Sequence, residues 1–150
     1  MFRKLLVIPA LVLALVGAVA APAAAHHAPR TLADVGVVPV ARVADQGASV
    51  VVRVCLRCAP NGTDGIQWEG FVNVDQGDTF GWAGLPLVCD GRPHVVTAVV
   101  PVSAEPGTAS FTRGRAQVDV VLMDENTLTW YAQDVRTVRV VERRHGSPCH

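Results

Sequence analysis

From Val50 to Cys58, apolar and polar side chains alternate. Successive residues of a strand point to opposite faces. Val50, Val52, Val54, Leu56 and Cys58 therefore share one face, while Val51, Arg53, Cys55 and Arg57 share the other. The first face reads as core, so Cys58 is expected to point inward and Cys55 outward with the arginines. The same alternation recurs twice. Ile66, Trp68, Val72 and Val74 alternate with Gln67, Glu69, Asn73 and Asp75, and Ala116, Val118, Val120 and Leu122 alternate with Gln117 and Asp119. Runs of this kind are half-buried antiparallel sheet.

Extending the pattern along the chain predicts strands at 35–43, 49–58, 66–74, 85–89, 94–102, 114–123 and 134–141, with no helix-period segment of useful length. Turn-forming groups separate them: Asp45-Gln46-Gly47, the run from Pro60 to Gly65, Asp90-Gly91-Arg92-Pro93, Glu105-Pro106-Gly107 and Asp124-Glu125-Asn126. About seven short strands with an inward Trp68 between inward Cys58 and Cys89 match an all-β, immunoglobulin-like antiparallel β-sandwich. Val52, Val54, Leu56, Trp68, Val118 and Val120 are expected in its core, and Arg53, Arg57, Glu69 and Asp119 in water.

Residues 1–25 obey a different rule. Arg3 and Lys4 precede an apolar stretch from Leu5 to Ala21 and the small residues Ala23-Ala24-Ala25, the layout of a cleaved secretory signal peptide. The stretch falls short of the roughly 20 residues a membrane anchor needs, and no later one is long enough. No cysteine near the cut offers a site for lipid attachment. The sandwich domain is assigned to 34–142, with flexible tails at 26–33 and 143–150.

The chain has 150 residues, half of them apolar and only 17% charged, so it is no disordered polyelectrolyte. Its 13 basic residues balance 13 acidic ones without any basic run, which removes the electrostatic footprint of nucleic-acid binding. Lys4 is the only lysine; every other basic residue is arginine. This uniformity reads as coding bias, not as a selected guanidinium patch.

All four cysteines, Cys55, Cys58, Cys89 and Cys149, follow the leader, where an even count reads as up to two disulfides. Three pairings are possible. Leu85, Leu87 and Cys89 share a parity, so the inward Cys58 and Cys89 are the preferred pair. It would close a loop of about 30 residues, for which chain entropy gives about 3 to 4 kcal/mol. Cys55 with Cys149 follows by elimination.

Motifs that carry chemistry are largely absent from the sequence. Cys55-Leu56-Arg57-Cys58 has redox-motif spacing but ends a strand, whereas such a motif opens a helix. Export favours disulfides over a zinc site for the same cysteines. There is no Gly-x-Ser-x-Gly, and only His94 lies among the strands. Asp75, Asp78, Asp124 and Glu125 sit at turns, where carboxylates accept backbone hydrogen bonds more often than they hold calcium. Asn61-Gly62-Thr63 is a glycosylation sequon by spelling alone. Neither a catalytic residue nor a cofactor is assigned. One alternative is sharper: cleavage after Ala25 would expose His26 as a terminal amine-imidazole chelate for copper, with His27 beside it and His94 supplied by the fold. The plainer reading, a polar tail, is preferred.

A resemblance adds to this. Val50-Val51-Val52-Arg53-Val54, Cys58-Ala59-Pro60-Asn61-Gly62, Gln76-Gly77, Val88-Cys89-Asp90-Gly91 and Phe111-Thr112-Arg113-Gly114-Arg115-Ala116 resemble a group of small exported actinobacterial proteins, domains of unknown function with an immunoglobulin-like sandwich. It spans about residues 36 to 141, implies a Cys58 to Cys89 bridge and implies no activity; Cys55 and Cys149 depart from its pattern. The expectation is a secreted, extracellular, non-catalytic binding or structural module. Its partner would be extracellular or in the cell wall, with no nucleic acid and no membrane once the leader is removed.

Overall fold

The alternating runs become strands because each can bury one Val-rich face and leave the other wet. The computed structural model describes residues 31–104 and 109–142. Within them lie β1 (Ala33–Val37), β2 (Val40–Ala44), β3 (Ser49–Cys58), β4 (Trp68–Gln76), β5 (Thr79–Gly84), β6 (His94–Pro101), β7 (Gly114–Asp124) and β8 (Trp130–Glu142), with single 3₁₀ turns at Asp45–Gly47 and Thr63–Gly65. The fold is an all-β sandwich. One layer holds β1, β3 and β6, with β3 in the middle; the other runs β2-β8-β7-β4-β5. β2 pairs antiparallel with β3 and parallel with β8, so it joins the two layers through two ladders.

The core lies between the layers. Val50, Val52, Val54, Leu56 and Cys58 of β3 meet Trp68, Val72 and Val74 of β4, Ala116, Val118, Val120 and Leu122 of β7, and Val138 and Val140 of β8. The six core residues expected from the pattern are all buried. Arg53 and Arg57 are exposed; Glu69 and Asp119 are half-buried on the outer side of their layer.

The architecture departs from the sequence reading at three places. The run 35–43 is two strands, not one: β1 pairs with β3, the chain steps across at Val38-Pro39, and β2 then runs parallel to β8. Proline at the step supplies no ladder donor and suits a crossing point. The stretch 85–89 is not a strand. Leu85 N–H still reaches Gly70 O at 2.8 Å, but Pro86 has no N–H to continue the ladder. Its inward alternation survives all the same, with Leu85 buried and Leu87 and Cys89 packed against the core. A strand that the pattern hides, β5, completes the second layer.

The sandwich begins at Ala33, one residue before the expected boundary, and Leu32 O accepts the Ala59 N–H at 2.8 Å. The expected leader 1–25, most of the tail 26–33 and the tail 143–150 lie outside the described residues.

Candidate functional site

Antiparallel partners directly opposite one another share a face, so the registers of β4, β5, β7 and β8 dictate what the outer side of the second layer presents. One row across it reads Val135, Asp119, Asn73, Trp82; the next reads Thr137, Gln117, Asp75, Phe80. Asn73, Asp75, Gln117 and Asp119 line a shallow cavity of about 200 Å³. Two aromatic rings stand on its β5 side and Val135 on its β8 side. Trp82 is 58% exposed and Val135 51% exposed, so both apolar side chains stand open to solvent on this face.

Trp82 is held by Phe71, one row away, in an edge-to-face contact with ring centroids 6.2 Å apart. Asp119 Oδ1 accepts from Gln133 Nε2 at 2.9 Å, and Asp75 Oδ1 accepts the Gly77 N–H at 3.1 Å. Among the described residues neither carboxylate has an ion-pair partner. Further along the face, a register shift at Leu122/Met123 leaves Tyr131 unpaired, and Trp130 sits opposite Met123, 61% exposed. Tyr131 packs edge-on against the buried Trp68, centroids 5.1 Å apart.

Phe80 and Trp82 were missed in the sequence because their strand was missed. The signal present was Phe80-x-Trp82, two aromatics at strand spacing. It was masked by Gly81 and Gly84, which weaken a strand on propensity.

The residues singled out from the sequence lie elsewhere. Cys58 and Cys89 form a disulfide, Cα atoms 4.8 Å apart, and Gly91 N–H donates to Cys58 O at 2.9 Å. The bond pins the segment crossing from β5 to β6 onto the end of β3. It does not link the two sheets through facing strands as in antibody domains. Cys55 is exposed on the outer side of the first layer, opposite Gly36 and Val95, with its thiol free among the described residues. Cys149, His26 and His27 lie outside the described residues, so the pairing of Cys55 with Cys149 and the amine-imidazole chelate have no geometry to report.

His94 opens β6, and its Nε2 lies 2.8 Å from Asp90 Oδ1. That hydrogen bond, then the Arg92 N–H, holds the Asp90 carboxyl below its usual value. The nitrogen facing Asp90 is thus already engaged. Among the described residues no three His, Cys, Asp or Glu side chains cluster as metal ligands, and no helix is long and apolar enough to cross a membrane.

No family model matches the chain, and no curated protein matches it significantly. Two solved structures resemble it. The alkylpurine DNA glycosylase AlkC of Pseudomonas fluorescens, bound to DNA containing an abasic site analog, matches 73% of this chain at 9% identity and a TM-score of 0.41. This chain spans only 30% of that protein's length. A domain of the outer membrane lipoprotein Omp28 from Porphyromonas gingivalis matches 74% of this chain and 97% of its own, at 15% identity and a TM-score of 0.39. At these TM-scores neither likeness carries a functional inference.

Proposed function

We propose that the protein is an exported, non-catalytic β-sandwich binding module of the cell exterior, akin to the small actinobacterial proteins it resembles, which engages its partner through the outer face of the second layer. The observation that carries this reading is the pair of rows Val135-Asp119-Asn73-Trp82 and Thr137-Gln117-Asp75-Phe80. Four polar groups line one solvent-facing concavity there, and Trp82, Phe80 and Val135 flank it along the same rows. A few polar groups framed by exposed apolar ones is the composition of a recognition site. The Cys58–Cys89 bond supports the exported setting, because disulfides persist in oxidising compartments.

The test is retention of the purified secreted protein on the producer's isolated wall material and culture-fluid components. Wild type is expected to be retained and the double variant Trp82→Ala/Val135→Asp to pass through, with both folded, since neither side chain is in the core. Equal retention of the two proteins, or retention of neither, overturns the assignment of this face.

A further inference from the structure

We propose that the trough between Trp82 and Val135 takes a glycan built of neutral or amino sugars, an inference that rests on the second layer's outer face being the binding surface. Four polar side chains line it. Asn73 and Gln117 each offer an amide with two donors and an acceptor, and Asp75 and Asp119 offer acceptors. One oxygen of Asp75 is taken by the Gly77 N–H and one of Asp119 by Gln133 Nε2; the other oxygens are free among the described residues. A sugar's neighbouring hydroxyls each donate and accept, so planar amides set beside carboxylates satisfy them in pairs.

The aromatic wall supplies the second half of the recognition. A pyranose ring has an apolar C–H face that matches the face of an indole, and Trp82 is exposed yet fixed in orientation by Phe71. Size agrees with this. About 200 Å³ is below the roughly 300 to 1,000 Å³ of cavities that enclose drug-sized ligands. The shape therefore suits rings lying flat across the strands, with the rest of an oligomer running over the sheet. Charge narrows the class further. The lining itself carries two carboxylates and no cation, Arg115 and Arg139 standing one row beyond Gln117 and Thr137, so an uncharged or amino sugar is favoured over an acidic one at the lining.

Calorimetric titration of the secreted protein with cello-, chito- and chitosan-oligosaccharides, with alginate oligomers as the anionic control, tests this. Saturable binding to at least one neutral or amino series is expected. Trp82→Ala should weaken it about tenfold, the loss of one stacked ring. Asp119→Asn should weaken it less and leave the melting temperature unchanged. Binding to alginate alone, binding indifferent to Trp82→Ala, or no binding to any neutral or amino series overturns the glycan. If the wall-retention experiment still depends on Trp82 while every oligosaccharide fails, the face stands and the ligand class falls. A basic peptide over Trp82 would then be its occupant.

Discussion

Asp134 Oδ2 accepts the Val37 N–H at 2.7 Å, although 97 residues separate the two in sequence. Two residues further along β8, Arg136 Nη1 donates to the Val37 carbonyl at 3.0 Å, so both backbone groups of one residue are held by side chains of the opposite layer. Val37 is the last residue of β1 before the chain crosses to pair with β8. Because Val38 N–H still donates to Arg53 O at 3.0 Å, Val37 faces Val54 as a non-hydrogen-bonded pair, so its N–H and C=O point away from β3 and must find other partners if they are buried. Asp134 and Arg136, themselves 3.6 Å apart, are those partners.

Asp134→Ala should accordingly act on the crossing rather than on the core. It leaves the N–H of a residue only 2% exposed without an acceptor, which costs about 1 to 3 kcal/mol. Denaturant unfolding measures the loss, and amide exchange should accelerate most at Val37 and along β2. Uniform acceleration over all strands would mean that the clamp merely adds to global stability.

Gly81 shows why β5 escaped the pattern. Its backbone lies so close to Pro101 at the end of β6 that a Cβ there would sit inside the Pro101 carbonyl oxygen. At Gly81 the inward side of β5 therefore has room for hydrogen only, while Phe80 and Trp82 point out, the reverse of the usual polarity. Gly81→Ala should force β5 away from β6 and lower stability by about 1 to 3 kcal/mol or more. Gly84→Ala, whose nearest atom is 4.0 Å away, should cost far less. Equal losses in the two variants would refute the steric argument.

The inward Val set of β3, the faces of β4 and β7, and the Cys58–Cys89 bond were legible because each shows up as parity, a strictly local signal. The break at Pro39 was not, since β1 and β2 carry one unbroken Val-rich run, both pair with β3, and they differ in that β2 also pairs with β8. The candidate site was half legible. Asn73, Asp75, Gln117 and Asp119 read as a wet face, but the aromatics beside them sit on a strand whose inward residues are only Thr79, Gly81 and Ala83. Which polar residues neighbour which aromatics is a matter of register, and register between distant strands is written in no local pattern.

Trp68 combines burial with an unmet donor: the residue is 8% exposed, and its Nε1 has no hydrogen-bond partner. Trp68→Ala should cost about 3 to 5 kcal/mol through the cavity it leaves. Trp68→Phe keeps a ring for Tyr131 to meet and discards a donor whose burial costs about 1 to 3 kcal/mol, so it should stay within about 1 kcal/mol of wild type. Thermal melts of the two variants separate the contributions, and a Phe variant as weak as the Ala variant would show that indole volume is what matters.

Asp124 is the residue through which acid should act on the fold. It is 4% exposed at the end of β7. Its Oδ1 accepts the Gln67 N–H at 3.0 Å and the Asn126 N–H at 3.3 Å, and its Oδ2 accepts the Thr127 hydroxyl at 2.7 Å. The Gln67 N–H, then the Thr127 hydroxyl, holds the carboxyl below its ordinary value of 3.8. A carboxyl depressed in the folded state binds fewer protons there than in the unfolded chain. Its contribution is therefore intact above about pH 4 and is lost as pH falls through the folded value. Asn at this position keeps an oxygen for the two N–H groups, and the Thr127 hydroxyl can turn to accept from the new amide. Asp124→Asn should thus fold, melt somewhat lower than wild type at pH 7, and show a smaller drop in melting temperature between pH 5 and pH 2. Asp90, whose side chain is 44% exposed, should give a weaker version of the same effect when replaced by Asn, because solvent screens its contacts with His94 and Arg92. An acid limb as steep in the Asp124→Asn protein as in wild type would move the acid sensitivity to other carboxyls of the sandwich.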